Sequence, residues 1–273
     1  MNQPVRTDSL TTAPLQRSVA GGIATLVLDH QPSRNALSEA MLGALKAEFA
    51  AIAEDADIRV VVLTARGPAF SSGHDLKQLT ARRADEDRGR AYFADIMRRC
   101  ADVMLAITHL PQPVIAAVEG TATAAGCQLV ATCDLAVAGA NAKFCTPGVN
   151  IGLFCSTPMV ALSRNLGAKH AMEMLLTGDV VSADDAYRFG LVNRVVAPGE
   201  AMIAAGAYAT KLAAKSKLTL KVGKEAFYRQ REMELAAAYR YAEQVMVDNM
   251  LARDAEEGIG AFIEKRPPQW LDR

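Results

Sequence analysis

Two short stretches rich in small residues have the composition of turns whose backbone amides could stabilise a negative charge. They read SSGHDL at residues 71–76 and TAAGCQ at residues 123–128, each between a predicted strand and a predicted helix. Small side chains let a ligand approach the backbone, and the first N–H groups of a helix have no intrahelical partner. Two such groups aimed at one point would form an oxyanion hole. Tight packing alone also produces such turns, and spacing by itself favours that simpler interpretation.

The side chains near these turns offer little proton-transfer chemistry. Between residues 120 and 157 the only acid is Asp134, which lies between two apolar runs and which we interpret as structural. His74 titrates near neutral pH, so its imidazole could face a ligand, or it could point outward while its backbone acts. Asp75 begins the next predicted helix, where an acid stabilises the first turn.

Nucleophilic catalysis is weakly supported as well. Cys145 and Cys155 could be nucleophiles if their pKa values were lowered, but no base adjoins them in the sequence. Ser71, Ser72 and His74 are too close together to form a convincing triad, and no G-x-S-x-G motif is present. The residues therefore favour a site built mainly from backbone.

Hydrophobic periodicity predicts the elements that must position these turns. A hairpin around Gly21 and Gly22 precedes an amphipathic helix, and buried-strand runs cover residues 59–65, 113–120 and 134–140. Helices are predicted over about residues 90–109 and 124–133. Alternation of apolar strands with helices predicts an α/β fold with parallel strand pairing.

The C-terminal part of the chain has a helical pattern. Residues 169–178 and 182–190 each read as a short helix that ends at a glycine, and residues 217–254 carry an apolar stripe at helical spacing. The stripe could cover the core or contact another subunit, and core packing is the simpler expectation. We assign residues 1–14 to a flexible tail, 15–200 to a ligand-binding core, and 201–273 to a helical region for oligomerisation and pocket cover.

The overall composition excludes some partners. Lys plus Arg and Asp plus Glu number 30 each in 273 residues, so no net charge attracts nucleic acid or an anionic membrane. No apolar run is long enough to span a bilayer, and the N-terminus lacks a signal-peptide core. The five cysteines lack metal-ligand spacing and are odd in number, so we predict reduced thiols, no metal and a cytoplasmic location.

Five segments together resemble the crotonase superfamily, the enoyl-CoA hydratase/isomerase group. They are PSRNALS at 32–38, AFSSGHDLK at 69–77, residues 113–144, residues 172–196 and FIEKR at 262–266. The resemblance spans about residues 15–266 and implies a spiral of repeated strand–strand–helix units that binds acyl-CoA thioesters. It places the two N–H groups that polarise the thioester carbonyl at His74 and Ala125.

The same resemblance implies contacts with coenzyme A. Lys77 matches a position near the CoA phosphates, with an exposed surface charge as an equal alternative. Lys265 lies in a motif near a CoA pocket, often that of a neighbouring subunit, although a surface charge is the stronger interpretation. We add Ser71 and Ser72 to the CoA-binding set. The resemblance implies a homotrimer or a dimer of trimers, with the CoA thioester as ligand or substrate and no separate cofactor.

The resemblance fails at the catalytic acids. The positions of the two hydratase glutamates read Gln128 and Gly148, and a third acid position, used by isomerases and dehalogenases, reads Ser156. Adding water to an enoyl thioester needs an acid and a base, whose help is worth roughly 100- to 10,000-fold. Gln128 could orient a water but cannot take its proton. Residues 144–158, FCTPGVNIGLFCSTP, resemble a hydratase-domain-containing branch that lacks these acids.

Two kinds of function remain open. The first is an enzyme of acyl-CoA and fatty acid metabolism that polarises a thioester without those acids, as decarboxylation or thioester hydrolysis would allow. Residual lyase or isomerase activity through His74, or through an acid elsewhere in the chain, belongs to this first kind. The second is a non-catalytic acyl-CoA binder. Nucleic-acid binding, known for a minority of the superfamily, is disfavoured because the charge is balanced and no basic cluster is present.

Overall fold

The computed structural model describes residues 13–273, in which ten strands form two mostly parallel sheets. The predicted tail therefore lies almost entirely outside the described residues. The larger sheet has the order β1-β2-β3-β5-β7-β10, and only β1 and β2 pair antiparallel. Its strands are β1 (Leu15–Ala20), β2 (Ile23–Leu28), β3 (Val60–Ala65), β5 (Val114–Val118), β7 (Leu135–Gly139) and β10 (Arg194–Val196).

The smaller sheet carries the turns of interest. Its order is β4-β6-β8-β9, with β4, β6 and β8 parallel and β9 antiparallel to β8. Because parallel strands end at the same edge of a sheet, the residues after β4, β6 and β8 lie side by side there. The strands are β4 (Ala69–Ser71), β6 (Thr121–Thr123), β8 (Lys143–Cys145) and β9 (Val181–Ser182).

Eleven α-helices surround the two sheets in the described part of the chain. The first five are α1 (Glu39–Glu54), α2 (Leu76–Ala81), α3 (Arg90–His109), α4 (Ala125–Thr132) and α5 (Ser156–Asn165). The others are α6 (Ala168–Thr177), α7 (Ala183–Phe189), α8 (Ala201–Ala213), α9 (Lys217–Gln230), α10 (Leu235–Met250) and α11 (Arg253–Glu264). Among the described residues, none of these helices has both the length and the apolar composition needed to cross a bilayer.

Both faces of the central strands β3, β5 and β7 are largely buried, which explains their continuous apolar sequences. On one face Val60 and Val62 of β3 pack with the small side chains of α8, including Ala205. On the other face Val61 and Leu63 join the main core with α1 and α3. Alanines on α8 let that helix lie close to the sheet.

The predicted α/β fold and its repeated strand–strand–helix units are confirmed. In three successive units one strand joins the larger sheet, the next joins the smaller sheet, and a helix follows: β3–β4–α2, β5–β6–α4 and β7–β8–α5. The predicted hairpin is also present, with Ala20 opposite Ile23. Gly178 and Gly190 end α6 and α7 in left-handed conformation, as their positions in the sequence predict.

The C-terminal apolar stripe differs from its prediction. The periodic segment is divided into α9 and α10 by residues 231–234, and α10 does not bury the stripe in the core. Leu235, Tyr239 and Met246 are 73%, 72% and 61% exposed in the single chain. The expectation that the stripe packs into the core is therefore wrong for α10, because that helix packs mainly against α9 and not against the sheets.

Candidate functional site

The turn after β4 and the turn after β6 touch each other through Gly73. Gly73 has φ +79, a left-handed conformation that favours glycine. A Cβ added to Gly73 would lie 3.0 Å from the Thr123 carbonyl oxygen and 3.2 Å from the Ala125 nitrogen. The backbone of the first turn therefore lies directly beside the amide expected to polarise a ligand.

A second glycine keeps the two turns together from the other side. A Cβ on Gly126 would lie only 2.3 Å from the Ser71 carbonyl oxygen, so a larger residue would push α4 away from β4. Small residues at these positions serve close packing, as the simpler interpretation of the sequence predicts. The same packing also places the amides of His74 and Ala125 in adjoining turns.

Ala124 holds an uncommon backbone conformation at the start of α4. Its φ and ψ are 51° and −118°, which a residue with a Cβ rarely adopts. Its amide donates to the Cys145 carbonyl oxygen over 2.9 Å, which ties the turn to the end of β8. Within residues 13–273, neither His74 nor Ala125 donates its backbone N–H to a protein acceptor. A strained residue beside two free amides is typical of a functional turn.

The loop before α1 holds the first turn in place. Leu37 donates its amide to the Gly73 carbonyl oxygen over 2.7 Å, and Ser72 donates its amide to the Arg34 carbonyl oxygen over 3.0 Å. The Asn35 side chain is buried, accepts from the His30 amide and donates to the carbonyl oxygens of Arg66 and Ala69. Asn35 lies in the PSRNALS segment, but it was not predicted as a site residue.

Asn35→Ala is expected to lower the free energy of unfolding by about 2–4 kcal/mol, because it removes one buried and two partly buried hydrogen bonds. Chemical denaturation measures this change. Asn141→Ala is the control, since Asn141 is exposed. Equal stability of the two variants would show that Asn35 does not hold the loop.

The His74 imidazole is largely buried and has no satisfactory hydrogen-bond partner on either ring nitrogen among the described residues. Burial lowers the pKa of His74. The nearby Leu37 backbone raises this pKa by a smaller amount, although it lies outside hydrogen-bonding geometry. The ring is therefore neutral at pH 7. It retains one free donor and one free acceptor for a ligand.

Because the pKa of His74 is lowered below 6.5, acid should destabilise the folded chain. As the pH falls through 6.5, the unfolded chain gains a proton before the folded chain does, so stability is lost toward the lower, folded pKa. Between about pH 7.5 and 5.5, the midpoint temperature of thermal unfolding should fall less for His74→Gln than for the parent protein. The control Asn141→Ala, at an exposed position without a titratable group, should follow the parent protein. A parallel pH profile for His74→Gln would contradict this assignment.

Gln128 lies one helical turn after Ala125 on α4. Gln128 is only 4% exposed, and its Oε1 has no protein partner among the described residues. Unpaired polar groups in protein interiors are uncommon. Gln128 and His74 therefore mark two places where a polar group of a ligand could be accommodated.

Gly148 and Ser156 are the other two positions that the resemblance aligns with catalytic acids, and their surroundings differ. Gly148 lies in the 3-10 segment Pro147–Ile151, and its added Cβ would lie 2.7 Å from the Leu153 carbonyl oxygen and 2.9 Å from Cys155 Sγ. A side chain therefore does not fit at Gly148 without backbone movement. Ser156 begins α5, and its hydroxyl donates to the Phe154 carbonyl oxygen over 3.3 Å.

The cysteines near the site are poorly suited to nucleophilic chemistry. Cys127, Cys145 and Cys155 are all buried free thiols. Burial raises the pKa of Cys127 and of Cys155, and thus keeps both protonated near neutral pH. Within the described ranges, no three His, Cys, Asp or Glu side chains form a metal-binding group.

The proposed CoA contacts occupy different parts of the molecule. Ser71 is fully buried and its hydroxyl accepts from the Gly73 amide, while Ser72 donates to the Ser33 carbonyl oxygen. Lys77 is exposed in the first turn of α2, which Asp75 caps as predicted. Lys265 is exposed at the end of α11, and α11 packs against α9 and α10. Lys265 forms no hydrogen bond or ion pair with the described residues of the two turns.

A cavity of about 800 Å³ opens beside Gln128, between α3, α4, α5 and α9. Met104, Leu110 and Val160 form part of its apolar wall, and Tyr228 contributes a hydroxyl-bearing ring. Neither His74 nor Ala125 lines the cavity, so Gln128 is the residue that joins it to the two turns. Its volume lies within the range typical of small-molecule sites.

A largely buried polar network supports the wall formed by α9. Asp134 accepts from the Val114 amide over 2.7 Å, from Lys224 Nζ over 2.6 Å and from the Tyr228 hydroxyl over 2.9 Å. Lys224 also donates to the carbonyl oxygens of Ile107 and Gln112. These bonds support the structural interpretation of Asp134, whose partners were not predicted from the sequence.

Comparisons with known proteins agree on one family. A family model described as enoyl-CoA hydratase/isomerase matches residues 18–273. The human enoyl-CoA hydratase domain-containing protein 3, mitochondrial, is 48% identical over 91% of this chain and 80% of its own length. The rat protein of the same name is 48% identical over 91% of this chain and 81% of its own length.

Solved structures give the same result. A crystal structure of an enoyl-CoA hydratase from Mycobacterium smegmatis has a TM-score of 0.89 and 52% identity, covering 94% of this chain and 98% of that one. The human domain-containing protein 3 has a TM-score of 0.89 and 47% identity, covering 94% of this chain and 100% of that one. The predicted superfamily and its domain-containing branch are thus confirmed.

The predicted cytoplasmic location is wrong. Vertebrate relatives that are 45% to 48% identical to this chain are named as mitochondrial proteins. The prediction rested on free cysteines and on the lack of a signal-peptide core. Free thiols distinguish reducing from oxidising compartments, but they do not distinguish the cytosol from another reducing compartment.

Proposed function

Because the chain belongs to the enoyl-CoA hydratase/isomerase family, we propose that it binds an acyl-CoA thioester and polarises the thioester carbonyl with two backbone amides. The donors are the N–H groups of His74 and Ala125. The observation that carries this proposal is the close contact between the two turns. A Cβ added to Gly73 would lie 3.2 Å from the Ala125 nitrogen, so the turns that hold the two free amides adjoin. The carbonyl oxygen would accept from both.

The amides can stabilise charge on the carbonyl oxygen without any ionisable side chain. Such preorganised donors are among the strongest catalytic effects, since removal of one commonly costs about 100-fold or more in rate. The strained Ala124 would help to aim the Ala125 amide. In this proposal Lys77 contacts the CoA phosphates, Ser71 and Ser72 shape the turn beside the thioester, and Lys265 reaches CoA from a neighbouring subunit.

The two-glutamate hydration mechanism does not form part of the proposal. Gln128 could hold a water through its amide but has no basic group, and the crowding around Gly148 excludes a side chain there. The arrangement suits reactions in which carbonyl polarisation does most of the work, such as decarboxylation or thioester hydrolysis in fatty acid metabolism. Non-catalytic binding of acyl-CoA is the second candidate, and the lack of acids at Gln128, Gly148 and Ser156 favours it.

We also propose that the chain forms a homotrimer or a dimer of trimers. Exposed apolar side chains on α10, on α11 and just after α10 support association, since Leu235, Phe262 and Leu251 are 73%, 85% and 82% exposed in the single chain. Sedimentation analysis tests this assembly. A monomer at micromolar concentration would contradict it.

Calorimetric titration with butyryl-CoA and with 2-butenoyl-CoA tests the function. Both esters should bind, and the absorbance of the conjugated enoyl thioester should not fall at enzymatic rates of about 1 per second or faster. Failure of a panel of CoA esters to bind would overturn the proposed function. Rapid loss of the enoyl absorbance would instead show that another group replaces the missing glutamates.

Restoring both glutamates should not restore hydration. We expect the double variant Gln128→Glu, Gly148→Glu to lack measurable hydratase activity and to unfold at a lower denaturant concentration, because residue 148 has no room for a Cβ. Gln128→Glu alone separates the effect of burying an acid from the effect of crowding. A stable and active double variant would show that the segment 147–155 relaxes readily.

A further inference from the structure

The helix-lined cavity beside Gln128 has a charge pattern that the family assignment does not explain. Its lining includes four cationic residues, Arg164, Lys221, Arg229 and Arg231, and two acids, Glu225 and Glu232. The whole chain has zero formal net charge, so this local excess of positive charge is not part of a generally basic surface.

Three of these cations have no acidic partner among residues 13–273. Arg164 pairs with Glu232 over 3.3 Å, whereas Lys221, Arg229 and Arg231 form no ion pair with a residue of the described chain. The guanidinium of Arg229 lies 4.8 Å from the Tyr241 ring centre, and that of Arg231 lies 5.5 Å from the Phe227 ring centre. One N–H group of Arg231 donates to the Arg164 carbonyl oxygen. Stacking on an aromatic face leaves the N–H groups at the edge of a guanidinium able to bind an anion.

The wall of the cavity begins about one helical turn from the proposed carbonyl site. Gln128 follows Ala125 by three residues on α4, a rise of about 4.5 Å, and lies at the cavity wall. Beyond Gln128, the side chains of Met104, Leu110 and Val160 provide apolar contacts for methylene groups. An acyl chain that passes Gln128 would then follow an apolar wall toward the unpaired cations.

On this basis, and resting on the proposed function, we infer that the cavity selects an acyl group that ends in an anion. The substrate class is the mono-CoA thioester of a dicarboxylic acid, with Lys221, Arg229 and Arg231 as its specificity-determining residues. An anion could also come from the phosphates of CoA. The acyl carboxylate fits better because the cations share a cavity with Gln128, whereas Lys77, the expected phosphate contact, does not line it.

Matched pairs of thioesters test this inference. Calorimetry should show that suberyl-CoA binds about tenfold more tightly than octanoyl-CoA at low salt, as one charge-assisted hydrogen bond allows. Lys221→Met and Arg229→Met should each remove most of this preference, while Glu225→Gln should increase it. Lys169→Met, which removes an exposed cation on α6 outside the cavity, should leave the preference unchanged.

Acyl-pantetheine thioesters, which lack the nucleotide phosphates, identify the source of the anion. Persistence of the suberyl preference in these compounds would support the acyl carboxylate as the recognised group. The inference is overturned if octanoyl-CoA and suberyl-CoA bind equally, or if Lys221→Met weakens octanoyl-CoA but not octanoyl-pantetheine, since the cations would then hold CoA phosphates. Failure of every thioester to bind would overturn the proposed function as well.

Discussion

Gly73→Ala is expected to weaken acyl-CoA binding by roughly tenfold or more, and to lower any thioester turnover by about 100-fold. The new Cβ would lie 3.0 Å from both the Thr123 carbonyl oxygen and the Ala124 Cβ, and φ +79 is unfavourable for alanine. The first turn must therefore move away from the second. Because each turn supplies one amide, their common target would lose at least one donor.

The control for this variant is Gly43→Ala. An added Cβ at Gly43 has no neighbour within 4 Å, and Gly43 is exposed within α1, where alanine favours the helix by about 1 kcal/mol. Calorimetry with butyryl-CoA should therefore find normal affinity for Gly43→Ala. Normal affinity and turnover of a folded Gly73→Ala protein would mean that the contact between the turns does not form the binding site.

Removing either partner of the buried ion pair between Asp134 and Lys224 is expected to cost about 3–5 kcal/mol of unfolding free energy. The two side chains are only 16% and 8% exposed and lie 2.6 Å apart. Burial lowers the pKa of Lys224, and Asp134 opposes that shift. Lys224→Met would leave the Asp134 carboxylate with only two of its three hydrogen bonds.

Denaturant unfolding measures this cost, with Lys46→Met as the control. Lys46 pairs with Asp102 over 2.8 Å, but the Lys46 side chain is 55% exposed, so its loss should cost less than about 1 kcal/mol. Asp134→Asn should retain the packing and lose the charge, leaving Lys224 unpaired. If Lys224→Met and Lys46→Met were equally stable, Asp134 would not anchor α9.

The sequence contains much of the information needed for the two turns. Gly73 and Gly126 mark a turn conformation and a close approach that are local properties, and Asp75 lies where an N-cap is expected. Free amides follow from the position of Ala125 at the start of a helix. The contact between the turns could not be read from composition, because it depends on the parallel pairing of β4 and β6.

Features formed by residues far apart in the sequence were harder to predict from the sequence. Asp134 and Lys224 are 90 positions apart, and nothing near either residue indicates its partner. The crowding at Gly148 arises from the path of the chain at Leu153 and Cys155, so the sequence showed a missing acid but not the lack of space for one. The break between α9 and α10 contains neither glycine nor proline, and periodicity therefore suggested one segment.

The most direct test of the central claim is the carbonyl stretching frequency of a bound thioester. Butyryl-CoA carrying ¹³C at the thioester carbonyl can be observed by difference infrared spectroscopy when bound to the full chain and when free in solution. Two amides from His74 and Ala125 should lower the bound frequency relative to the free ester, and Gly73→Ala should reduce this shift. A bound ester with an unshifted carbonyl frequency would contradict polarisation at these turns.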